Sequence, residues 1–222
     1  MKARVILALA TIAVAACSDD PSGPGVTEGR LRLVPGVAAL PLVDIIVDGQ
    51  LKAEDVPFAK TSTAIALSVG SHQVKVVAPG TAPTAGGTSV TVKANDTTTV
   101  VAIGTAAAPN VVILGDTGAA PVAGKGKLRV RHLASVTPDI DVYRSQPDAT
   151  PFTKVMDPFP LDATSPFLES TPGNWSIRVT VKGATTVLAE RTDIAVNALW
   201  VRTALILDQT GGGVRIVLVG EQ

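Results

Sequence analysis

This 222-residue sequence has one cysteine, two histidines, two methionines and 3% aromatic residues. A single cysteine, Cys17, closes no intrachain disulfide and leaves no CxxC pair for a metal or redox centre. Two histidines, His72 and His132, are too few to build a zinc site without further ligands. Lysine plus arginine equals aspartate plus glutamate at 19 each, so no bulk charge draws the chain to nucleic acid. Long apolar runs are also missing. The stretch Val5 to Ala16 falls short of the roughly 20 residues that cross a bilayer.

That short run follows Lys2 and Arg4 and ends Val14-Ala15-Ala16-Cys17, which is the form of a secretory signal. Its end resembles the bacterial lipobox. The resemblance implies cleavage before Cys17 and a diacylglycerol on its thiol, with several acyl chains giving stable membrane anchoring. Residues 1–16 are therefore read as a lipoprotein signal peptide and 17–28 as lipid anchor and flexible tether. Ser18-Asp19-Asp20-Pro21-Ser22-Gly23-Pro24-Gly25 is too polar and too rich in Pro and Gly to bury a core. A serine after the cysteine resembles outer-membrane sorting in Gram-negative cells, where aspartate favours retention in the inner membrane. The expected location is the cell envelope, lipid-anchored, and the outer membrane if the cell is Gram-negative.

What the sequence has in quantity is Val, Thr, Ala, Gly and Pro, a balance that favours strands over helices. Laid on itself, the chain repeats. GRLRLVPGVAALPLVDIIVDG from Gly29 matches GKLRVRHLASVTPDIDVYRSQ from Gly126 at an offset of 97 residues, carrying Pro41 onto Pro138 and Asp44 onto Asp141. Farther on, Val56-Pro57-Phe58 is matched to Asp157-Pro158-Phe159. Gly70 to Val76 is matched to Gly173 to Val179, which places His72 on Trp175, and Val111-Val112-Ile113 faces Val214-Arg215-Ile216.

Alternation in Arg30-Leu31-Arg32-Leu33, Lys127 to Arg131, Val74-Lys75-Val76 and Ile177-Arg178-Val179 predicts half-buried strands. Asp48-Gly49 and Pro172-Gly173-Asn174 supply turns between such runs. The expected architecture is all-β: two tandem antiparallel sandwiches, immunoglobulin-like, with about seven strands each. Repeat 1 is placed at 29–115, a linker at 116–125 and repeat 2 at 126–222.

KLRVRHLASVTPDIDVYRSQ followed by TPGNWSIRVTVKG resembles the bacterial envelope family known as domain of unknown function 4397. Arg131-His132-Leu133-Ala134-Ser135 and Ile140-Asp141-Val142-Tyr143 carry that pattern. The first copy departs from it, with Val34-Pro35-Gly36 at the histidine and Ile46 at the tyrosine. The resemblance implies a secreted or surface β-domain, often in tandem, with no established activity.

The search for chemistry yields few candidates. His132, with Ser135, Asp139 and Asp141 nearby, permits a Ser/His/Asp device to be imagined, but no G-x-S-x-G elbow accompanies it. The competing reading is a strand-end histidine bonded to backbone. His72 stands opposite a tryptophan, which suits packing or a half-exposed surface. Asp139, Asp141, Asp19 and Asp20 lack the spaced oxygen loop of an EF-hand and read as solvated carboxylates, so no metal is expected. Gly86-Gly87, Gly211-Gly212-Gly213 and GKGK at 124–127 read as turns, since no P-loop spacing is present. Trp200 opens an apolar run and reads as core.

One feature points to binding. Arg30, Arg32 and Lys75 in the first copy, and Lys127, Arg129, Arg131 and Arg178 in the second, alternate with core positions. If their strands adjoin, each copy presents a basic face suited to anionic glycan or lipid headgroups. An ordinary charged outer face, keeping the sheet soluble, is the other reading. Three functions stay open: a non-enzymatic envelope lipoprotein binding a protein or glycan or acting as a spacer; an extracytoplasmic hydrolase acting near His132; and a structural element packing into surface arrays. No cofactor is expected.

Overall fold

The computed structural model describes residues 27–115, 120–146 and 151–221. The expected signal peptide, Cys17 and most of the expected tether lie outside them. Every regular element among the described residues is a strand, and no helix is long and apolar enough to cross a membrane.

The first repeat runs β1 (Glu28–Pro35), β2 (Leu42–Val47), β3 (Gln50–Pro57), β4 (Ile65–Ser68), β5 (Gly70–Val77), β6 (Thr88–Val92), β7 (Thr97–Gly104) and β8 (Pro109–Leu114). The second runs β9 (Gly126–His132), β10 (Asp139–Ser145), β11 (Thr153–Pro160), β12 (Leu168–Ser170), β13 (Gly173–Val181), β14 (Val187–Val196), β15 (Val201–Asp208) and β16 (Val214–Glu221). Among the described residues each copy therefore holds eight strands where about seven were expected. The extra elements are short pieces such as β4 and β12, whose four and three residues show too little alternation to be seen in sequence.

The two copies have one topology. Sheets β4-β1-β7-β8 and β3-β2-β5-β6 form the first sandwich, and β12-β9-β15-β16 and β11-β10-β13-β14 the second. In both, the first strand pairs parallel with the seventh, β1 with β7 and β9 with β15, while the remaining ladders are antiparallel. Alternation places Leu31, Leu33, Ile45, Val74, Val76 and Val100 in one core, and Leu128, Val130, Ile140, Val142, Ile177 and Ile206 in the other.

Strand registers correct one match made from sequence. Val43 pairs with Val56 and Leu42 with Pro57, while Ile140 pairs with Phe159 and Asp139 with Pro160. Val56-Pro57-Phe58 therefore corresponds to Phe159-Pro160-Leu161, two residues beyond the sequence match. The shared dipeptide ending Pro-Phe misled, because proline marks an edge strand wherever it falls and fixes no register.

A third apolar layer joins the repeats. Val34, Val101 and Leu114 from the first pack with Leu133, Leu205, Leu207, Val217 and Val219 from the second. Registers make these equivalent positions: Val101 pairs with Val112 as Leu205 pairs with Val217, and Thr99 with Leu114 as Thr203 with Val219. The same outer face of each copy is used, as in an isologous dimer. The molecule is thus a four-layer stack, with β3-β2-β5-β6 and β11-β10-β13-β14 as its outer sheets. Phe58 meets the Arg215 guanidinium at 6.0 Å, Thr210 Oγ1 donates to the Ala38 carbonyl, and Gly36 faces Leu207. These contacts link the ends where β1 and β9 finish. The opposite ends, where β1 and β9 start, therefore point the same way.

Candidate functional site

The residues of chemical interest are mostly occupied in holding turns and strand ends. His132 is fully buried at the end of β9 and stacks on Phe159, with ring centroids 6.3 Å apart. Its Nδ1 accepts from the Ala134 N–H at 3.3 Å, so Nε2 carries the proton and donates to the Thr137 carbonyl at 2.8 Å. Burial pushes its pKa down and keeps the ring neutral. Ser135 turns elsewhere, donating to Asp208 Oδ2 at 2.7 Å, and the other Asp208 oxygen accepts the Val136 N–H at 3.0 Å. The imagined triad is not assembled, since neither ring nitrogen of His132 faces the Ser135 hydroxyl.

His72 is the converse case. Its Nε2 donates to the Ser68 carbonyl at 2.9 Å and its Nδ1 to Asp48 Oδ2 at 2.7 Å. Both nitrogens face acceptors, which favours the protonated ring, and the Asp48 carboxylate raises its pKa. The equivalent Trp175 donates Nε1–H to the Thr171 carbonyl at 2.8 Å. Each ring thus seals the same turn by bonding a carbonyl four residues back. That common donor explains how one position takes both residue types.

The aspartates also change reading. Asp139 is partly exposed and pairs with Lys182 at 3.0 Å, but Asp141 is completely buried rather than solvated. Asp141 Oδ2 receives Lys154 Nζ at 2.9 Å and the Gly183 N–H at 3.0 Å, and the Lys154 ammonium draws its pKa down. Asp44, its equivalent, receives the Asp55 N–H at 3.0 Å and the Gly80 N–H at 3.2 Å. In each copy one carboxylate ties the second strand to the turn after the fifth. The aspartate of the motif Ile140 to Tyr143 therefore has a structural role. The described residues contain no cluster of three or more metal-ligating side chains.

The seven basic residues do not share a face. Arg30, Arg32, Lys127, Arg129 and Arg131 lie on the inner layers β4-β1-β7-β8 and β12-β9-β15-β16, whereas Lys75 and Arg178 lie on the outer sheets. Arg30 is exposed and Arg32 half-buried, its Nε donating to Thr99 Oγ1 at 2.9 Å. Lys127 and Arg129 are buried beside the joint between repeats, Arg129 donating to Thr203 Oγ1 at 3.0 Å and lying 4.3 Å from the Phe167 ring. Arg131 reaches across the joint to the Ile113 carbonyl at 2.9 Å. Lys75 bonds Thr84 Oγ1 in its own copy's loop. Arg178 pairs with Glu190 at 2.7 Å and covers Phe152. The expected face fails because β1 and β5 belong to opposite sheets of the sandwich. Long aliphatic stems let such residues border an apolar joint while their heads find polar partners.

Trp200 departs from its core reading too. It is half-buried at the start of β15, with the Arg202 guanidinium 4.5 Å from its ring.

Tandem sandwiches with duplicated turn-locking carboxylates define an all-β repeat protein in which His132 and Asp141 hold strand ends and turns. The chain belongs to the family described as Domain of unknown function (DUF4397), whose model matches residues 29–143. The matched span covers the whole first sandwich and ends at Tyr143 in β10. No curated protein matches the sequence. Among solved structures, the TIE protein of Bacillus anthracis is similar at 14% identity and a TM-score of 0.26, over 83% of this chain and 34% of that one. A leucine-rich repeat protein of Bacteroides thetaiotaomicron gives 11% identity and 0.23, over 82% and 26%. A candidate cell-adhesion protein of Bacteroides uniformis gives 12% and 0.28, over 88% and 98%. The chain thus spans about a third or less of the first two proteins. At these scores none carries an argument about activity or partner.

Proposed function

We propose that this chain is a non-enzymatic, lipid-anchored protein of the cell envelope whose joined sandwiches bind a protein or glycan or act as a spacer. One observation carries the non-enzymatic part. The residues with catalytic potential, His72, His132, Asp44 and Asp141, are each engaged by backbone groups or a structural ion pair. A general base must reach a substrate proton, and His132 has neither an open nitrogen nor exposure. The hydrolase alternative predicts that His132→Ala abolishes activity in a broad esterase and glycosidase screen. This reading expects no activity to lose.

The anchoring part rests on Val14-Ala15-Ala16-Cys17 behind a short apolar run, eleven residues before β1. Labelling cells with an alkynyl fatty acid tests it. Wild-type protein takes the label and fractionates with the envelope, and Cys17→Ser loses both properties. Label persisting in Cys17→Ser sinks the anchor. For the partner, residues 29–222 on a sensor surface are exposed to purified envelope glycans and to envelope protein fractions. Failure in both leaves the spacer role.

A further inference from the structure

Among the connections described in both copies, one pair differs in a way that packing does not explain. Lys93-Ala94-Asn95-Asp96 joins β6 to β7, and Asn197-Ala198-Leu199-Trp200 joins β14 to β15 at the equivalent place. Both loops dock on the glycine that heads the repeat. A Cβ on Gly29 would stand 2.1 Å from the Lys93 carbonyl oxygen, and one on Gly126 2.5 Å from that of Asn197. The third residue of each loop is left-handed, with φ of 57° at Asn95 and 67° at Leu199. Asparagine tolerates that conformation, whereas a leucine is strained there. Leu199 is also 63% exposed, so no core burial offsets the strain.

A backbone hydrogen bond ties Leu199 to the turn that carries a second bare aliphatic residue, Val122. The Leu199 N–H donates to the Lys125 carbonyl at 2.7 Å, which fixes it beside the turn in which Lys125 N–H bonds the Val122 carbonyl at 2.9 Å. Val122 is 62% exposed, and these two are the most exposed of the large aliphatic residues among those described. Trp200 follows Leu199 in the chain and is half-buried, with the Arg202 guanidinium over its ring. In the first copy the same tip reads Lys93, Asn95 and Asp96, all exposed and polar.

The position of this tip names its partner. β1 begins at Glu28, and the Asn95 N–H donates to the Glu28 carbonyl, so the tether enters at the end that carries these loops. β8 leaves the first repeat at the same end and β9 starts there in the second. The apolar tip of repeat 2 therefore lies at the tether end of the stack. From Cys17 to Glu28 the chain spans at most about 40 Å, and lipid on Cys17 would hold that end toward the bilayer.

We propose that Leu199, Val122 and Trp200 form a membrane-contacting tip that inserts shallowly into the headgroup boundary of the bilayer to which the chain is tethered. Tryptophan favours that boundary, where its ring meets acyl chains and its N–H meets water. Exposed aliphatic side chains gain there what they lack in solution. Contact at one repeat and not the other would tilt the stack and set which outer sheet faces away. This inference rests on the anchored reading, and its test is arranged to fail separately.

The experiment uses the mature chain with Cys17 coupled through its thiol to a maleimide lipid in phosphatidylcholine vesicles, so it needs no cellular lipidation. Vesicles with brominated and with ordinary acyl chains are compared by tryptophan emission, and Trp200→Phe identifies the Trp200 share against the buried Trp175. The Trp200 emission is expected to fall about two-fold in brominated vesicles, as for an interfacial ring. Leu199→Asn, the residue the first repeat uses, should retain the fold and lose most of that quenching. Equal emission in the two vesicle types, or undiminished quenching in Leu199→Asn, overturns the tip. Absent fatty-acid labelling in cells with quenching intact overturns the anchor instead.

Discussion

The two repeats share strands, registers and turn-locking aspartates, yet differ wherever a residue leaves those duties. His72 and Trp175 seal the same turn, each bonding a carbonyl four residues back, and only His72 also bonds a carboxylate. Pro35 and His132 both end the first strand, but only His132 bonds the following loop through its ring. On the outer sheets, Ile46 is fully buried while its equivalent Tyr143 is half-exposed. The loop of residues 78–87 helps cover Ile46's sheet: Gly87 fits against the Val74 carbonyl, and Lys75 bonds Thr84 and Ala85. The second repeat's corresponding turn is only a few residues long. The difference teaches that duplication preserved the frame and released the surface. Functional divergence is to be sought at positions where the copies disagree and the frame does not care.

The largest effect should come from breaking the layer that the copies share. Leu205→Asp puts a charge into a fully buried position between repeats. It should cost about 3–5 kcal/mol, because an unpaired carboxylate loses its hydration there. Denaturant unfolding should then separate into two transitions, one per sandwich. A single transition with the wild-type midpoint would show that the joint contributes nothing.

Next come the turn-locking aspartates. Asp44→Ala and Asp141→Ala each strand backbone N–H groups, of Asp55 and Gly80 in one copy and of Gly183 in the other. Each should lose about 1–3 kcal/mol of stability. Asp141→Ala also leaves Lys154 with Asp157 alone at 3.1 Å. Because Asp157 is exposed, the lysine keeps a solvated partner and the two losses should be alike. A much smaller loss for Asp44→Ala, measured by urea unfolding, would mean the duplicated carboxylates have diverged in role.

Leu199→Asn acts in the other direction. In the absence of lipid it should stabilise the protein by about 1 kcal/mol, since it relieves a left-handed leucine and removes no buried contact. The reverse exchange, Asn95→Leu, should destabilise by a similar amount. Equal midpoints for wild type and both variants would remove the strain argument.

The smallest effect is a difference of sign between the two histidines. His72 has a raised pKa, so its stabilisation is full below its ordinary value of 6.5 and is lost as pH rises through the folded value. Its partner Asp48 has a lowered pKa, so that share is full above 3.8 and is lost as pH falls through the folded value. The pair is therefore strongest between those two limits. With Asp48 half-exposed, solvent screening holds it to at most about 1 kcal/mol. His132 has a lowered pKa, so the folded state resists its protonation and stability falls as pH drops below 6.5. Melting temperatures from pH 5 to 9 should fall toward alkaline pH for wild type relative to His72→Trp. Against His132→Gln, the wild type should instead fall toward acid. Parallel profiles for all three proteins would contradict both assignments.

Much of the frame is legible in the sequence. The offset from Gly29 to Gly126 is reproduced by the pairings of β1 with β7 and β9 with β15, and alternation in Arg30 to Leu33 marked a strand with one buried face. Less was legible about chemistry. Asp141 reads as solvated because sequence carries no measure of depth, and its partners Lys154 and Gly183 lie on other strands. The basic residues misled for a related reason. A polar residue every second position says that one face is not the sandwich core, but it is equally compatible with water or with a neighbouring sheet. Comparing the loops at 93–96 and 197–200 in sequence would have shown leucine opposite asparagine. It would not have shown the left-handed backbone that makes the exchange costly.

Period-two patterning, turn residues and self-similarity are local, so the sequence by itself determined that this is a duplicated all-β chain with a lone cysteine ahead of its first strand. The tertiary structure decided how the copies meet. Val101, Val112, Leu205 and Val217 form a joint only because folding brings residues about a hundred positions apart onto matching faces. It likewise decided that burial favours the neutral form of His132, that Asp48 favours the charged form of His72 and that Leu199 stands bare, since those states depend on what surrounds each side chain in space.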